Sequence, residues 1–531
     1  MDSSVRRLTL LAAFACCLTI QCIYFNSFLV AASTHSMMAS HAHVRNASAH
    51  NRSNYRPLNI TSSSATTSAT QQRRDRRENL GGNVDIVSLN DDRMNTSAPT
   101  SWEAVIADPP QPAAVATAAT VERPLATSFQ SLFDRPNAVI STRYPHAARG
   151  IVLSLHHAMV PIGASLIREL RALGNVDPVQ VMHCFDSELP ESDRALLLAI
   201  PDANIEIIDA CAALVSAELL TPDAAKDFQN FWLKPLAVLV SSFDQVMLMD
   251  VDNIFVANPA TLWTTPLFID TGTLFFHDRV LSYNFWLNEV QGDGRPYLRT
   301  FLDSFPYASF GLTRPTSPSK RLQDSMIFAR HTAHEQDSSV VLLHKSRAGV
   351  ATLKVLWHLA TYERHHGHPF SWGDKESFWL SFELAQVPYA FTPWAASVVS
   401  KRDDVPAHPD TLCGSLAQYD PTPNDSPSIL FVNGGDVIDI VDTGGGTEAV
   451  ATRTDWEARG ARLLARIPQY VTPRHTRHPT PAFGLRGAYD QTCLIGDGSA
   501  RLDEAFHDVV TRRIQWTVDV AAQMAWGPAT A

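Results

Sequence analysis

From residue 150 onward the hydrophobic pattern switches repeatedly between two periods, and this alternation restricts the fold more than any other feature of the chain. "GIVLSL" (150–155) is an unbroken apolar run of strand length, whereas "MVPIGASLIRELRALG" (159–174) spaces Ile167, Leu170 and Leu173 along one helical face and stops at Gly174. "PVQVMHCF" (178–185) predicts a second strand, followed by a helix near 191–199, a strand "NIEIID" (204–209), a helix from about Asp223 to Val240 and the strand "QVMLMD". "TGTLFFH" (271–277) and "SVVLLH" (339–344) add strands, with helices expected over 347–362 and 374–386. Strands apolar on both faces, alternating with helices, predict an α/β fold with a mostly parallel sheet covered on both sides. In such sheets ligands bind beyond the carboxyl ends of the strands. The last hundred or so residues, including the Pro-rich "YDPTPNDSPS" (419–428), carry no comparable pattern.

One strand end stands out. In "FDQVMLMDVDNIFV" (243–256) the apolar run finishes on Asp250 and Asp252, with only Val251 between them. Burying an unpaired carboxylate is costly, so such a pair belongs where it meets water, a cation or a capping partner. Residues i and i+2 of an extended segment point the same way, roughly 6.5 Å apart, so both carboxylates face one site. Hard oxygen ligands of this kind suit Mg²⁺ or Mn²⁺, which bind through one or two carboxylates together with substrate phosphates. A solvated turn is the ordinary alternative for a bare D-x-D.

The N-terminus bears on location. Arg6 and Arg7 precede an uncharged stretch over 8–32 that is long enough to span a bilayer. We read residues 1–33 as a cytoplasmic tail and signal-anchor transmembrane helix, with a cleaved signal peptide as the competing reading. Asn46, Asn51, Asn59 and Asn95 each begin a glycosylation acceptor tripeptide. Together with a Ser-, Thr-, Ala- and Asn-rich composition they predict a disordered, glycosylated, lumenal stem over 34–147 and a catalytic domain over 148–531. The net charge of −11 argues against nucleic-acid binding. Four cysteines follow the stem; proximity pairs Cys184 with Cys211 and Cys413 with Cys493, buried free thiols being the alternative. No Cys/His spacing suggests zinc.

Three blocks carry a family likeness: "FWLKPLAVLVSSFDQVMLMDVDNIFVANPATLW" (231–263), "TGTLFFHDR" (271–279) and "WGDKESFWLSF" (372–382). Over roughly 148–395 the chain resembles the Golgi alpha-mannosyltransferases that add alpha-1,3-linked mannose in fungi. The resemblance implies a GT-A, Rossmann-like nucleotide-diphospho-sugar transferase fold and a single-pass type II Golgi membrane protein. It further implies a sugar-nucleotide donor, GDP-mannose, a glycan or glycoprotein acceptor, and retention of the alpha configuration. By the same resemblance Asp250 and Asp252 hold a divalent metal, Mn²⁺ or Mg²⁺, with Asp252 the direct ligand. Lys234, Asp250 and Gly272 serve the donor, and Asp374 and Glu376 of the "GDKE" block (373–376) serve the sugar and acceptor side. Asp324, in "RLQDSMIFARH" (321–331), falls where the family places an acidic residue before Ser-Gly, although Met326 replaces the glycine. Asn433 and His344 are the positions considered for a third metal ligand.

Each of these residues also has a structural reading. Asp374 and Glu376 would offset a helix dipole, Lys234 would be a surface lysine, and Asp278 with Arg279 would form a structural ion pair. Two other functions stay open: a GT-A transferase using a UDP-sugar, and a membrane-anchored glycan-binding protein without turnover.

Overall fold

The computed structural model describes residues 148–402, 410–422, 427–441, 452–479 and 492–524. The apolar segment at 8–32, the four acceptor tripeptides and the stem lie outside the described residues. Among the described residues no helix is long and apolar enough to cross a membrane.

The expected alternation is present. Strand β1 (Arg149–Ser154) leads to helix α1 (Val160–Ala172), β2 (Val179–His183), α2 (Glu191–Leu198), β3 (Ile205–Asp209), α3 (Leu233–Val240) and β4 (Gln245–Met249). The short β5 (Asn253–Phe255) follows, then α4 (Pro266–Thr271), β6 (Thr273–His277), β7 (Gln336–His344), α5 (Lys345–His358) and α6 (Ser377–Ala385). The predicted helix over 223–240 breaks into Pro222–Lys226 and α3. Pro235 is the reason: it is tolerated in the first turn of α3, but it would remove a hydrogen bond from the interior of a helix running through from 223.

The first sheet has the order β3-β2-β1-β4-β7-β6. β3, β2, β1 and β4 are mutually parallel, whereas β7 runs antiparallel to both β4 and β6. Alternate side chains feed two cores: Val152, Met182, Leu248 and Val341 on one face, Ile151, Val181, Met247 and Leu342 on the other. Both faces are thus buried, as the unbroken apolar runs required.

The region that resisted sequence reading forms a second sheet. β8 (Ser397–Ser400), β9 (Ser415–Tyr419), β10 (Ile429–Asn433), β11 (Tyr470–Val471) and β12 (Ala500–Arg501) join β5 in the antiparallel order β12-β11-β8-β9-β10-β5. The chain then closes with helix α7 (Glu504–Ala521), which lies on α1 and ties to it through Arg512 and Glu169 at 2.7 Å. Cys184 bonds Cys211 and Cys413 bonds Cys493, the pairing that proximity suggested.

Candidate active site

Register defines the two ends of the first sheet. Gln245 of β4 pairs with His344 of β7, which in turn lies beside Thr273 of β6 through Leu343; at the other end Met249 pairs with Val340, and His277 with Gln336. Asp250 therefore leaves β4 at the same edge as His277, Asp278 and Asp337. That edge is the carboxyl edge of the parallel strands, where the sequence placed the site.

Three of the sequence-predicted residues meet there. Lys234, buried on the first turn of α3, lies 2.7 Å from Asp250 Oδ1 and 3.6 Å from Asp374 Oδ1. It also donates to the Ser338 carbonyl at 3.4 Å and to Ser338 Oγ at 3.3 Å. It is not a surface lysine. Burial works against its charge, but Asp250 and Asp374 outweigh that and hold the ammonium above the usual lysine range. Burial pushes the Asp250 and Asp374 carboxyls upward, against the pull of the same lysine. Asp374 Oδ2 is buried without a hydrogen-bond partner.

Asp252 has a neutral partner instead. Its Oδ1 accepts from Asn433 Nδ2 at 2.9 Å, because β10 pairs with β5 and sets Asn433 opposite Asn253. Burial first, and the Asp250 charge second, push the Asp252 carboxyl up to about 7. A Cβ on Gly435 would lie 3.2 Å from Asp252 Oδ2, so glycine leaves that oxygen open. Two neighbouring carboxylates, raised by their own proximity and burial and presenting hard oxygens, fit a divalent cation such as Mg²⁺ or Mn²⁺. Sequence reasoning missed the support beneath them. Arg513 of α7, fully buried, donates to the carbonyls of Asn253 at 2.5 Å, Val251 at 3.1 Å and Ile162 at 3.3 Å, and to Ser165 Oγ at 2.8 Å. The available signal was an arginine inside the apolar stripe Phe506, Val510, Ile514 and Thr517.

A second charged layer continues along the same edge. Asp278 Oδ2 meets Lys375 Nζ at 2.5 Å, so Lys375 takes the ion-pair place expected for Arg279, whose backbone N–H donates to Asp278 Oδ1 at 2.8 Å. Burial opposes the Asp278 charge, but Lys375 outweighs it and holds the carboxyl below the usual range. Asp337 Oδ2 accepts from Gln418 of β9 at 2.9 Å, which joins the two sheets.

Four other expectations need correction. Glu376 is fully buried: Oε1 accepts from the backbone of Glu335 at 3.0 Å and Gln336 at 3.3 Å, and Oε2 from Trp379 Nε1 at 2.5 Å. Buried and with both oxygens engaged in tying β7 to α6, it holds the framework. Asp324 is exposed and pairs with Lys320 one helical turn away, outside the cluster. Gly272 and His344 lie at the opposite edge of the sheet. Gly272 ends α4 at φ 75°, donating to the Phe268 carbonyl at 2.8 Å, and His344 Nε2 bonds Asp244 at 3.0 Å. A helix end and a hydrogen bond to Asp244 account for them.

Elsewhere, His475, His478 and Asp497 bring three ligand atoms within 4.8 Å of one another. His478 Nε2 already bonds Asp497 at 3.0 Å, which suffices as a structural pair.

Residues 148–420 match the family model described as "Mannosyltransferase putative". Among similar proteins, the alpha-1,3-mannosyltransferase MNN1 of Saccharomyces cerevisiae is 25% identical over 344 residues, covering 59% of this chain and 43% of that protein. The alpha-1,3-mannosyltransferase MNT2 of the same yeast is 26% identical over 318 residues, covering 54% and 52%. The chain thus spans about half the length, or less, of these curated relatives. The crystal structure of the galactosyltransferase LgtC with donor and acceptor sugar analogues is similar at 14% identity and a TM-score of 0.27, over 45% of this chain and 73% of that one. Since the family match begins at the edge of β1 and runs past β9, it takes in the Asp250–Asp252 pair, Lys234 and Asp374 together, and this chain belongs to that mannosyltransferase family.

Proposed function

We propose that the chain is a divalent-cation-dependent glycosyltransferase of GT-A fold that moves mannose from GDP-mannose, in alpha linkage, onto glycan chains of glycoproteins. One observation carries the reading: the chain brings Asp250, Asp252 and Asp374 together around Lys234 at the carboxyl edge of a parallel sheet. The alpha-1,3-mannosyltransferase names of its relatives support mannose as the sugar.

Asp250 and Asp252 would hold Mn²⁺ or Mg²⁺. A cation held there would supply positive charge to offset that of a leaving diphosphate. The protein's own groups do the rest. Lys234 lies between Asp250 and Asp374, within reach of one oxygen of each carboxylate. Asp374 Oδ2, lacking a partner, accepts a hydroxyl of the transferred hexose or of its acceptor. Arg513 braces the backbone of Val251 and Asn253 on both sides of Asp252, so the carboxylates meet their ligand already positioned.

The same proposal places residues 1–33 in the Golgi membrane and the domain from 148 in the lumen. Two disulfides in the folded part suit an oxidising compartment. Protection of the folded domain from protease in intact microsomes, together with a glycosidase-sensitive mass, is the expected outcome.

The test of the activity is a screen of sugar nucleotides with the full chain, with and without chelator. Mannose transfer from GDP-mannose that stops on chelation is expected. Preference for a UDP-hexose would replace the donor, activity indifferent to chelator would remove the metal, and glycan binding without turnover would return the chain to a binding role.

A further inference from the structure

We infer that the exposed aromatic rim of Phe231 and Trp372 on either side of Gly373 is the acceptor site, and that it holds hexose units of an oligosaccharide with their apolar faces stacked on those rings. The occupant's role as acceptor rests on the transferase reading above; the site itself rests on four observations.

The first is a reversal of the chain at the reaction centre. Gly373 adopts φ 67°, a conformation open to glycine, and it turns its two neighbours in opposite senses. Asp374 is buried against Lys234, while Trp372 is 58% exposed. A large aromatic ring in water thus stands back to back with the site's carboxylate.

The second is the partner ring. Phe231 is 64% exposed, lies 3.5 Å from where a Gly373 Cβ would be, and has its ring centre 6.0 Å from Lys234 Nζ. The same lysine therefore links this rim to Asp250.

The third is an extension of the rim. Trp286 has φ 53°, a costly conformation for a bulky side chain and one that clusters at functional sites. Its ring sits 5.9 Å from Trp372, 4.2 Å from His334 and 5.7 Å from Phe285, itself 55% exposed. Core packing does not require two exposed aromatic rings, Phe285 and Trp372, each held against a half-buried Trp286 whose backbone is unfavourable.

The fourth is the neighbouring cleft. It has a volume of about 700 Å³, within the range of pockets that hold small ligands, and its lining includes Lys226, Asp227, Asn230, Trp232, Arg364 and His365. The segments that form it run directly into Phe231 and Trp372. A hexose presents one apolar C–H face and a rim of hydroxyls: Arg364 stands over the Trp232 ring at 5.3 Å and Phe370 is buried, so the exposed rings of Phe231 and Trp372 serve the face, while Asp227, Asn230, Lys226 and His365 of the neighbouring cleft accept from or donate to the hydroxyls. A nucleotide diphosphate suits the site less, because the paired carboxylates that would hold its cation lie at Asp250 and Asp252.

The experiment titrates mannotriose calorimetrically into the full chain saturated with GDP and Mn²⁺, for wild type, Trp372→Ala, Phe231→Ala and Trp372→Phe. Loss of one stacking face should weaken mannotriose about tenfold in each alanine variant, with substantial recovery in Trp372→Phe and unchanged affinity for GDP. Both alanine changes are at exposed rings, and equal melting temperatures would confirm folding. Equal mannotriose affinity in all four proteins overturns the inference, as does a parallel loss of GDP affinity or a wild type that binds no mannotriose at millimolar concentration. The two readings fail separately. If wild type hydrolyses no sugar nucleotide yet binds mannotriose through Trp372, the transferase reading falls and the glycan site stands. If it transfers mannose while ignoring the Trp372 change, the reverse holds.

Discussion

The two edges of the six-stranded sheet are built from the same strands and do opposite things with charge. At the amino edge of β4 and β6, Asp244 is met by His344 and by Ser346, and Gly272 simply ends a helix. Asp244 there is matched by hydroxyl, backbone and imidazole partners that hold its carboxyl below the usual range despite burial, while burial pushes the neighbouring Lys345 down to about 8. At the carboxyl edge Asp250, Asp252, Asp374, Asp278 and Asp337 crowd around Lys234 and Lys375, the first three with carboxyls pushed upward by burial. One edge gives its carboxylate a full set of partners, while the other holds several like charges together at the point where ligands bind such sheets. The difference teaches where the chain gives up stability for function.

The comparison can be broken most sharply at Asp252. Asp252→Asn keeps the shape and the contact with Asn433 but removes the charge a cation needs; transfer should fall roughly a thousandfold, about 4 kcal/mol of barrier. Because the native carboxyl is already raised, the melting temperature should hold or rise. Turnover close to wild type in this variant would return the pair to a structural turn.

Lys234→Met comes next. It strips the ammonium from between Asp250 and Asp374 and should cost about 3 kcal/mol in denaturant unfolding at pH 7. The loss should shrink toward pH 5. Carboxyls with folded-state pKa values above the unfolded ones favour the fold when protonated and lose that contribution as pH rises through the raised value. A pH-independent loss would mean that Lys234 acts by packing alone.

Glu376→Gln tests a residue that shares the edge without belonging to the reaction. The amide keeps one acceptor but turns an N–H₂ toward donors, so stability should fall by about 2 kcal/mol while the acceptor and donor KM values of the remaining folded enzyme stay put. A changed KM with intact stability would restore it to the site.

The smallest effect belongs to the other edge. Gly272→Ala should cost about 1 kcal/mol through its left-handed backbone, with transfer retained. Loss of donor affinity in this variant would erase the distinction between the edges.

How much of this was legible follows from how local each signal was. Asp250 and Asp252 lie at the end of their own apolar run, and Lys234 and Asp374 sit in short blocks that resemble a family, so the sequence pointed to the carboxyl edge. Asp374 and Glu376, by contrast, look alike in "GDKE", yet one carboxylate keeps an unpartnered oxygen and the other is consumed by β7 and Trp379. Trp379, three residues on, is the one local partner of Glu376; the backbone groups of β7 that complete its setting arrive from 40 or more positions away in the chain. Gly272 stood in a matching block but on the amino side of its strand, and only register shows that the sheet separates it from Asp250.

The amino-acid sequence by itself determined the alternation of strand and helix, the burial of both sheet faces and the edge at which charge collects. These follow from hydrophobic period and strand length, which are properties of neighbouring residues. The tertiary structure alone decided that Asn433, 181 positions downstream, would hold Asp252, and that Arg513, 262 positions beyond Val251, would brace the backbone beneath it. Those contacts depend on a second sheet closing onto β5 and on α7 returning to α1. Such long-range pairing leaves no periodic trace in the residues that make it, because a single polar side chain meeting a distant carbonyl is specified by where two elements cross rather than by any pattern along either one.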